Sequence, residues 1–181
     1  MPTPRTFLTC LACCATATMA ASAPAPASAP DPALNAVGEF YRVYHRAKID
    51  GLPSAKQLLK IRLLLSPRLT ALVERARAEQ LRCYRRHPHD KPPWTEGDLF
   101  SSGFEGFTAF ETVAPAHDEN GRKVVDVAFT GPGEAHWLDR VVLVPQRNRW
   151  LVDDVEYRGT QAFTSGYGKA LSQALTAIPA C

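Results

Sequence analysis

The side chains best equipped for chemistry are five carboxylates in two short stretches: Glu96, Asp98 and Glu105, then Asp153 and Asp154. Gathered in space, several carboxylates can bind Ca²⁺, which takes about six to eight oxygen ligands. Two of them can act as general acid and base. Their spacing fits no calcium loop. Asp98, standing just before Leu99–Ser102, equally suits a side-chain cap on the turn that follows it. Glu96 and Glu105 would then pair with basic neighbours. Asp153 lies in an apolar stretch, where period-two alternation puts Leu151, Asp153, Val155 and Tyr157 on one face. Trp150, Val152, Asp154 and Glu156 share the other. A carboxylate beside a packed surface needs a partner, which Arg68 or Arg140 could supply.

The remaining reactive types do not assemble into a known constellation. His45, His87, His89, His117 and His136 are scattered, with no two at metal-ligand spacing on a helix face. Ser101 and Ser102 lack the glycine-flanked elbow of a hydrolase nucleophile. No spacing of Cys and His suggests zinc, so the sequence calls for neither metal nor cofactor. Arg82, Arg85, Arg86, His87, His89 and Lys91 form the one basic cluster, which suits an acidic partner or the C-terminal end of a helix. Next to it, Trp94, Glu96, Asp98, Phe100 and Glu105 mix aromatic and acidic side chains. With Tyr41, Asp154, Arg85 and Arg86, these are the candidate binding residues.

The elements that must position these groups follow from periodicity. Ala36–Lys48 repeats apolar residues at three- and four-residue steps and predicts a helix capped by Asn35. Ser54 opens a shorter helix with Leu58, Leu59, Ile61 and Leu63. Ser66-Pro67 starts a third, running towards Tyr84 with Leu69, Leu72, Val73, Ala76 and Leu81 on one face. Four strands follow, over 107–113, 123–130, 137–144 and 150–157, separated by turn signals, and a last helix is predicted over 169–177. Short connections between the strands predict an antiparallel meander. The expected fold class is α+β, with N-terminal helices packed on a curved four-stranded antiparallel sheet.

The start of the chain reads as a secretion signal over residues 1–22. Arg5 is followed by an uncharged, mostly apolar stretch and then by Ala20-Ala21-Ser22-Ala23, with cleavage expected after Ala20 or Ser22. Cys13 and Cys14 lack the preceding residues of a lipid-attachment site, so a lipoprotein of the outer membrane is the minor alternative to a periplasmic or secreted product. Residues 23–34 are rich in Ala and Pro and form a tether, leaving one domain over 35–178. The leader carries three of the five cysteines. Cys83 and Cys181 remain, free to bond to each other, to stay reduced or to pair with another chain. The formal charge of +3 over 181 residues gives no reason to expect a nucleic-acid partner. No apolar run is long enough to span a bilayer.

Several runs resemble one family. Pro92-Pro93-Trp94-Thr95-Glu96-Gly97-Asp98-Leu99-Phe100-Ser101-Ser102, with Phe104-Glu105-Gly106 after it, resembles family 3828 of bacterial domains of unknown function. Phe40-Tyr41 with Tyr44, Leu65-Ser66-Pro67-Arg68-Leu69, and Trp150-Leu151-Val152-Asp153-Asp154-Val155-Glu156-Tyr157 are further matches. The resemblance covers about Ala36 to Leu175 and implies an NTF2-like cone, in which helices wrap a curved antiparallel sheet, similar to cystatin-like folds. The family includes exported proteins and lipoproteins, and no catalytic residue carries over from it. Two expectations follow. The first is an exported, non-enzymatic binding or accessory protein of the cell envelope, whose partner is an envelope protein or a small ligand. The alternative is a small-molecule enzyme, isomerase- or hydrolase-like, with Asp153 or Asp98 as the base in a conical pocket.

Overall fold

A computed structural model describes residues 31–159 and 168–177. The signal segment, most of the tether and Cys181 lie outside the described residues. The first helix, α1 (Pro32–Ala47), starts earlier than the apolar repeat suggests. Asp31 caps it, accepting from Ala33 N at 2.8 Å, with proline at the first helical position. Asn35 is therefore inside the helix, and the tether ends before Asp31. Ser54 caps α2 (Ala55–Ile61) through a reciprocal capping box with Gln57. Only Leu58 and Ile61 of this helix enter the core, while Leu59 and Leu63 remain exposed. Ser66 caps α3 (Pro67–Arg86) by accepting from Leu69 N at 2.9 Å. That helix buries Leu69, Thr70, Val73, Ala76 and Cys83 and leaves Leu81 exposed.

Four antiparallel strands follow in sequential order: β1 (Ala109–Glu119), β2 (Arg122–Thr130), β3 (His136–Gln146) and β4 (Arg149–Glu156). The final element, α4 (Leu171–Thr176), returns alongside β4 through a bridge between Glu156 and Ala170. The fold is α+β, with helices on one side of the sheet, as the patterning implied. Cross-strand neighbours Phe110, Phe129 and Trp137 share the helix-facing side, as do Val127 with Asp139 and Val125 with Val141. Against them, α1 places Val37, Phe40, Tyr41 and Tyr44.

Simple alternation fails in β4. The pairing passes from Val142–Asp154 to Leu143–Val152, so Asp153 is the extra residue of a bulge. Val152 and Val155 consequently both enter the core, although strict period two assigns them to opposite faces. The bulge turns Asp153 toward the start of α3, where Ser66 N bonds to Val152 O at 2.8 Å.

Cys83 is disulfide-bonded; Cys181, its expected partner, lies outside the described residues. Trp137 stacks on Phe129 at 5.5 Å and lies against Gly103 and Gly131. A methyl group at Gly103 would collide with the indole, 2.5 Å from Cη2, and a rigid ring in a packed core cannot yield cheaply. Gly103→Ala should therefore lower stability by about 1–3 kcal/mol. Urea unfolding followed by tryptophan fluorescence measures the loss, and an unchanged midpoint would show that the ring is not confined.

Candidate functional site

The segment Gly97–Ser102, which carries most of the familiar motif, runs through the interior of the domain. Leu99, Phe100, Ser101 and Ser102 are all buried. A buried loop must find partners for its backbone polar groups. Here they come from three tyrosines and Asp139 on surrounding elements and from Asp98 within the loop itself. Tyr41 Oη donates to Phe100 O at 2.9 Å, and Tyr157 Oη donates to Leu99 O at 2.6 Å. Tyr44 Oη donates to Asp98 Oδ1 at 2.6 Å. The same oxygen accepts from Phe100 N at 2.8 Å, while Asp98 Oδ2 accepts from Ser101 Oγ at 2.9 Å. Burial pushes all three phenols well above their ordinary range, so each remains a proton donor.

On the far side of the loop Asp139 performs the same task from β3. It is fully buried and accepts from Ser102 N at 2.6 Å, Ser102 Oγ at 2.5 Å and Arg158 N at 2.8 Å. No cation pairs with Asp139 among the described residues, so backbone and hydroxyl donors alone satisfy the charge. Asp98 is different. Burial raises its carboxyl to about 6, helped by the nearby Asp139 charge, against the lowering effect of its Tyr44, Phe100 and Ser101 hydrogen bonds.

Asp153 and Asp154 hold the sheet to the helices. Asp153 accepts from Ser66 Oγ at 2.6 Å and from Arg68 Nε at 3.0 Å, and pairs with Arg68 Nη2 at 2.8 Å. Burial pushes Asp153 up, but the Arg68 and Ser66 hydrogen bonds and the Arg68 charge outweigh this and hold it below the usual range. Asp154 accepts from Ser172 N at 2.9 Å and from Ser172 Oγ, anchoring α4. Arg68→Ala would leave Asp153 with one side-chain donor. Because the guanidinium is half exposed, the expected loss is modest, about 1–2 kcal/mol near neutral pH. The Asp153 contribution exists above the ordinary aspartate range and disappears as pH falls through its lowered folded value. The gap between wild type and R68A should therefore narrow below about pH 4. Chemical denaturation at neutral and acidic pH reads it, and a pH-independent gap would assign the effect to packing of the Arg68 stem.

No protein-family model matches the chain, and no curated protein matches it. The geometry shows what the motif residues do in this chain. Among the expected binding residues, Tyr41, Trp94, Asp98 and Phe100 are buried. Trp94 donates its indole N–H to Ala174 O at 3.1 Å, fastening α4 to the loop. Glu96 is exposed and pairs with Lys91, while Glu105, Arg85 and Arg86 are exposed. Asp98 and Asp153 do not converge: one serves the internal loop and the other the start of α3. Among the described residues no group of acids, histidines and cysteines is placed to hold a metal.

Asp139 and Tyr157 were not singled out by their spacing, yet they hold the loop as firmly as Asp98 does. A signal for Asp139 was present. Trp137, Asp139 and Val141 alternate onto one face, which puts an acid between two core residues.

Among the described residues three grooves open at the surface. A polar groove of about 360 Å³ is lined by Asp50, Glu96, Asp98 and Glu105, with Ile49 and Phe104 beside them. A second groove of about 400 Å³ lies between α1 and the start of β1. A third, of about 640 Å³, crosses β1–β3 near Leu138.

Proposed function

We propose that this chain is an exported, non-enzymatic binding or accessory protein of the bacterial cell envelope, a member of family 3828 with an NTF2-like cone. One observation carries the non-enzymatic reading. The interior, where a conical pocket would hold a substrate, is occupied by Gly97–Ser102, bonded from surrounding elements by Tyr41, Tyr44, Tyr157 and Asp139. A catalytic pocket needs concave, mostly apolar space with a few free polar groups. Each buried carboxylate is instead occupied by structural donors. Export is supported by the leader at residues 1–22 and by the Cys83 disulfide, which suits an oxidising compartment.

A second reading keeps Asp98 as a general base. It is favoured by one fact: the carboxyl has a value near 6 and lines the polar groove with Asp50, Glu96 and Glu105. Both readings can be tested in the producing bacterium with the full-length gene. Fractionation should recover the protein in the periplasm or medium, with an intact mass lacking the residues through Ala20 or Ser22 and carrying no lipid. A full-length cytoplasmic chain would overturn the export reading. Cross-linking in the envelope should then capture the same partner with wild type and with Asp98→Asn. Turnover of a small substrate that Asp98→Asn abolishes without unfolding would establish the enzyme instead.

A further inference from the structure

The groove between α1 and the start of β1 has the composition of a small-molecule site. Arg42, His45 and Arg46 occupy positions i, i+3 and i+4 of α1, so they share one helix face. Opposite them the chain enters β1 through Phe107, Thr108 and Phe110, which supply a mostly apolar floor. His45 lies over the Phe107 ring, with centroids 5.3 Å apart. Phe107 in turn packs edge-on to Phe110 at 5.9 Å, so the floor is a rigid aromatic pair.

The charges on this face are not neutralised within the protein. Among the described residues only four arginines, Arg68, Arg82, Arg140 and Arg158, form an ion pair. Arg42 and Arg46 form none among the described residues. Each is held by Nε alone, bonded to a carbonyl of α1: Gly38 O at 2.9 Å for Arg42 and Arg42 O at 3.2 Å for Arg46. Those bonds fix the direction of the guanidinium groups and leave their terminal nitrogens to meet a ligand. No carboxylate lines the groove. Two like charges one turn apart repel, and an anion set between them relieves that repulsion while accepting hydrogen bonds. The C-terminal end of the helix dipole accounts for cations in the last turn. It does not account for the aromatic floor they share.

We infer that this groove binds an organic anion with a flat apolar body, an aromatic carboxylate, its carboxylate held by Arg42 and Arg46 and its ring laid between His45, which covers the buried Phe107, and the partly exposed Phe110. The volume of about 400 Å³ falls within the usual range for small-molecule sites, roughly 300–1,000 Å³. The inference rests on the reading of the protein as a binder and gives that reading a ligand class.

The test is titration of the isotope-labelled exported protein with 2-naphthoate, followed by amide chemical shifts. The neutral 2-naphthamide serves as the control. Saturable shifts are expected at Arg42–Arg46 and Phe107–Phe110. Both the amide probe and the double variant R42Q/R46Q should bind at least about tenfold more weakly, because each removes a charge-assisted hydrogen-bonding pair. Both substituted side chains are exposed, so an unchanged spectrum of the free variant verifies its fold. Equal affinity for the amide, undiminished binding by the variant, or no saturable shift at about 1 mM probe would overturn the assignment. Any of these results would leave the non-enzymatic reading standing. Chemical conversion of the bound probe would instead sink that reading and leave the site in place.

Discussion

Replacing Asp139 with alanine is expected to lower the unfolding free energy by about 3–5 kcal/mol, the largest loss of any single polar substitution in this protein. The side chain is fully buried and takes three close hydrogen bonds, two of them from Ser102. Its removal strands the Ser102 and Arg158 N–H groups, and a bond from N–H to carboxylate is worth about 1.5–3 kcal/mol. It also opens a void beneath Trp137 and the internal loop. Asp139→Asn keeps one acceptor oxygen but turns an amide N–H₂ toward groups that already donate, so an intermediate loss is expected. Urea unfolding of both variants orders the effects. A loss below about 1 kcal/mol for alanine would mean that water replaces the carboxylate and that the loop is not sealed.

Asp98 should behave in the opposite way. Its folded value, near 6, lies above the ordinary aspartate value of 3.8, so the fold binds this proton more tightly than the unfolded chain does. Where the folded state holds the extra proton, stability falls as pH rises. The protein should therefore gain stability on acidification from pH 7 to about 4.5, by about 2 kcal/mol from this group. Asp98→Asn keeps an oxygen for Tyr44 Oη and Phe100 N, and its amide can donate to Ser101 Oγ once that hydroxyl turns. It removes the desolvated charge. The variant should be more stable than wild type at pH 7.5, similar at pH 4.5, and without the slope between. Denaturant midpoints across that range decide the matter. A variant less stable than wild type at pH 7.5 would show that the ionised form is the one the loop requires.

These two aspartates show how far the sequence could be read. The helices were legible because their stop and start signals are local. Ser66-Pro67 and Ser54 announce caps by residue type alone, and so does Asp31-Pro32, which the Ala/Pro-rich surroundings disguised. The four strands were legible from alternation and turn chemistry, except where Asp153 bulges and shifts the period and where β1, expected to end at 113, continues to Glu119 past a register shift between Val113 and His117. The loop was harder, because its meaning is non-local. Trp94, Asp98 and Phe100 look like an exposed aromatic–acidic surface until Tyr41, Tyr44, Tyr157 and Asp139 arrive from distant parts of the chain to bury them. A carboxylate inside a core and one in a binding loop have the same spelling; only their donors differ. The groove at Arg42 and Arg46 was illegible for a related reason. Arg42, His45 and Arg46 read as the polar face of an ordinary helix, and β1 must pack beside them before they have a floor.

The non-enzymatic reading requires Gly97–Ser102 to be a permanent part of the interior rather than a gate over a pocket. Native-state hydrogen exchange at the Phe100 and Ser102 amides tests this most directly, since these donors bond to Asp98 and Asp139. If the loop is structural, both amides exchange only by global unfolding, and their opening free energy equals that measured by denaturant. If they open at a free energy well below the global value, with the sheet still protected, the loop can leave its place. The interior would then be a pocket with Asp98 exposed in it, and the non-enzymatic reading would be contradicted.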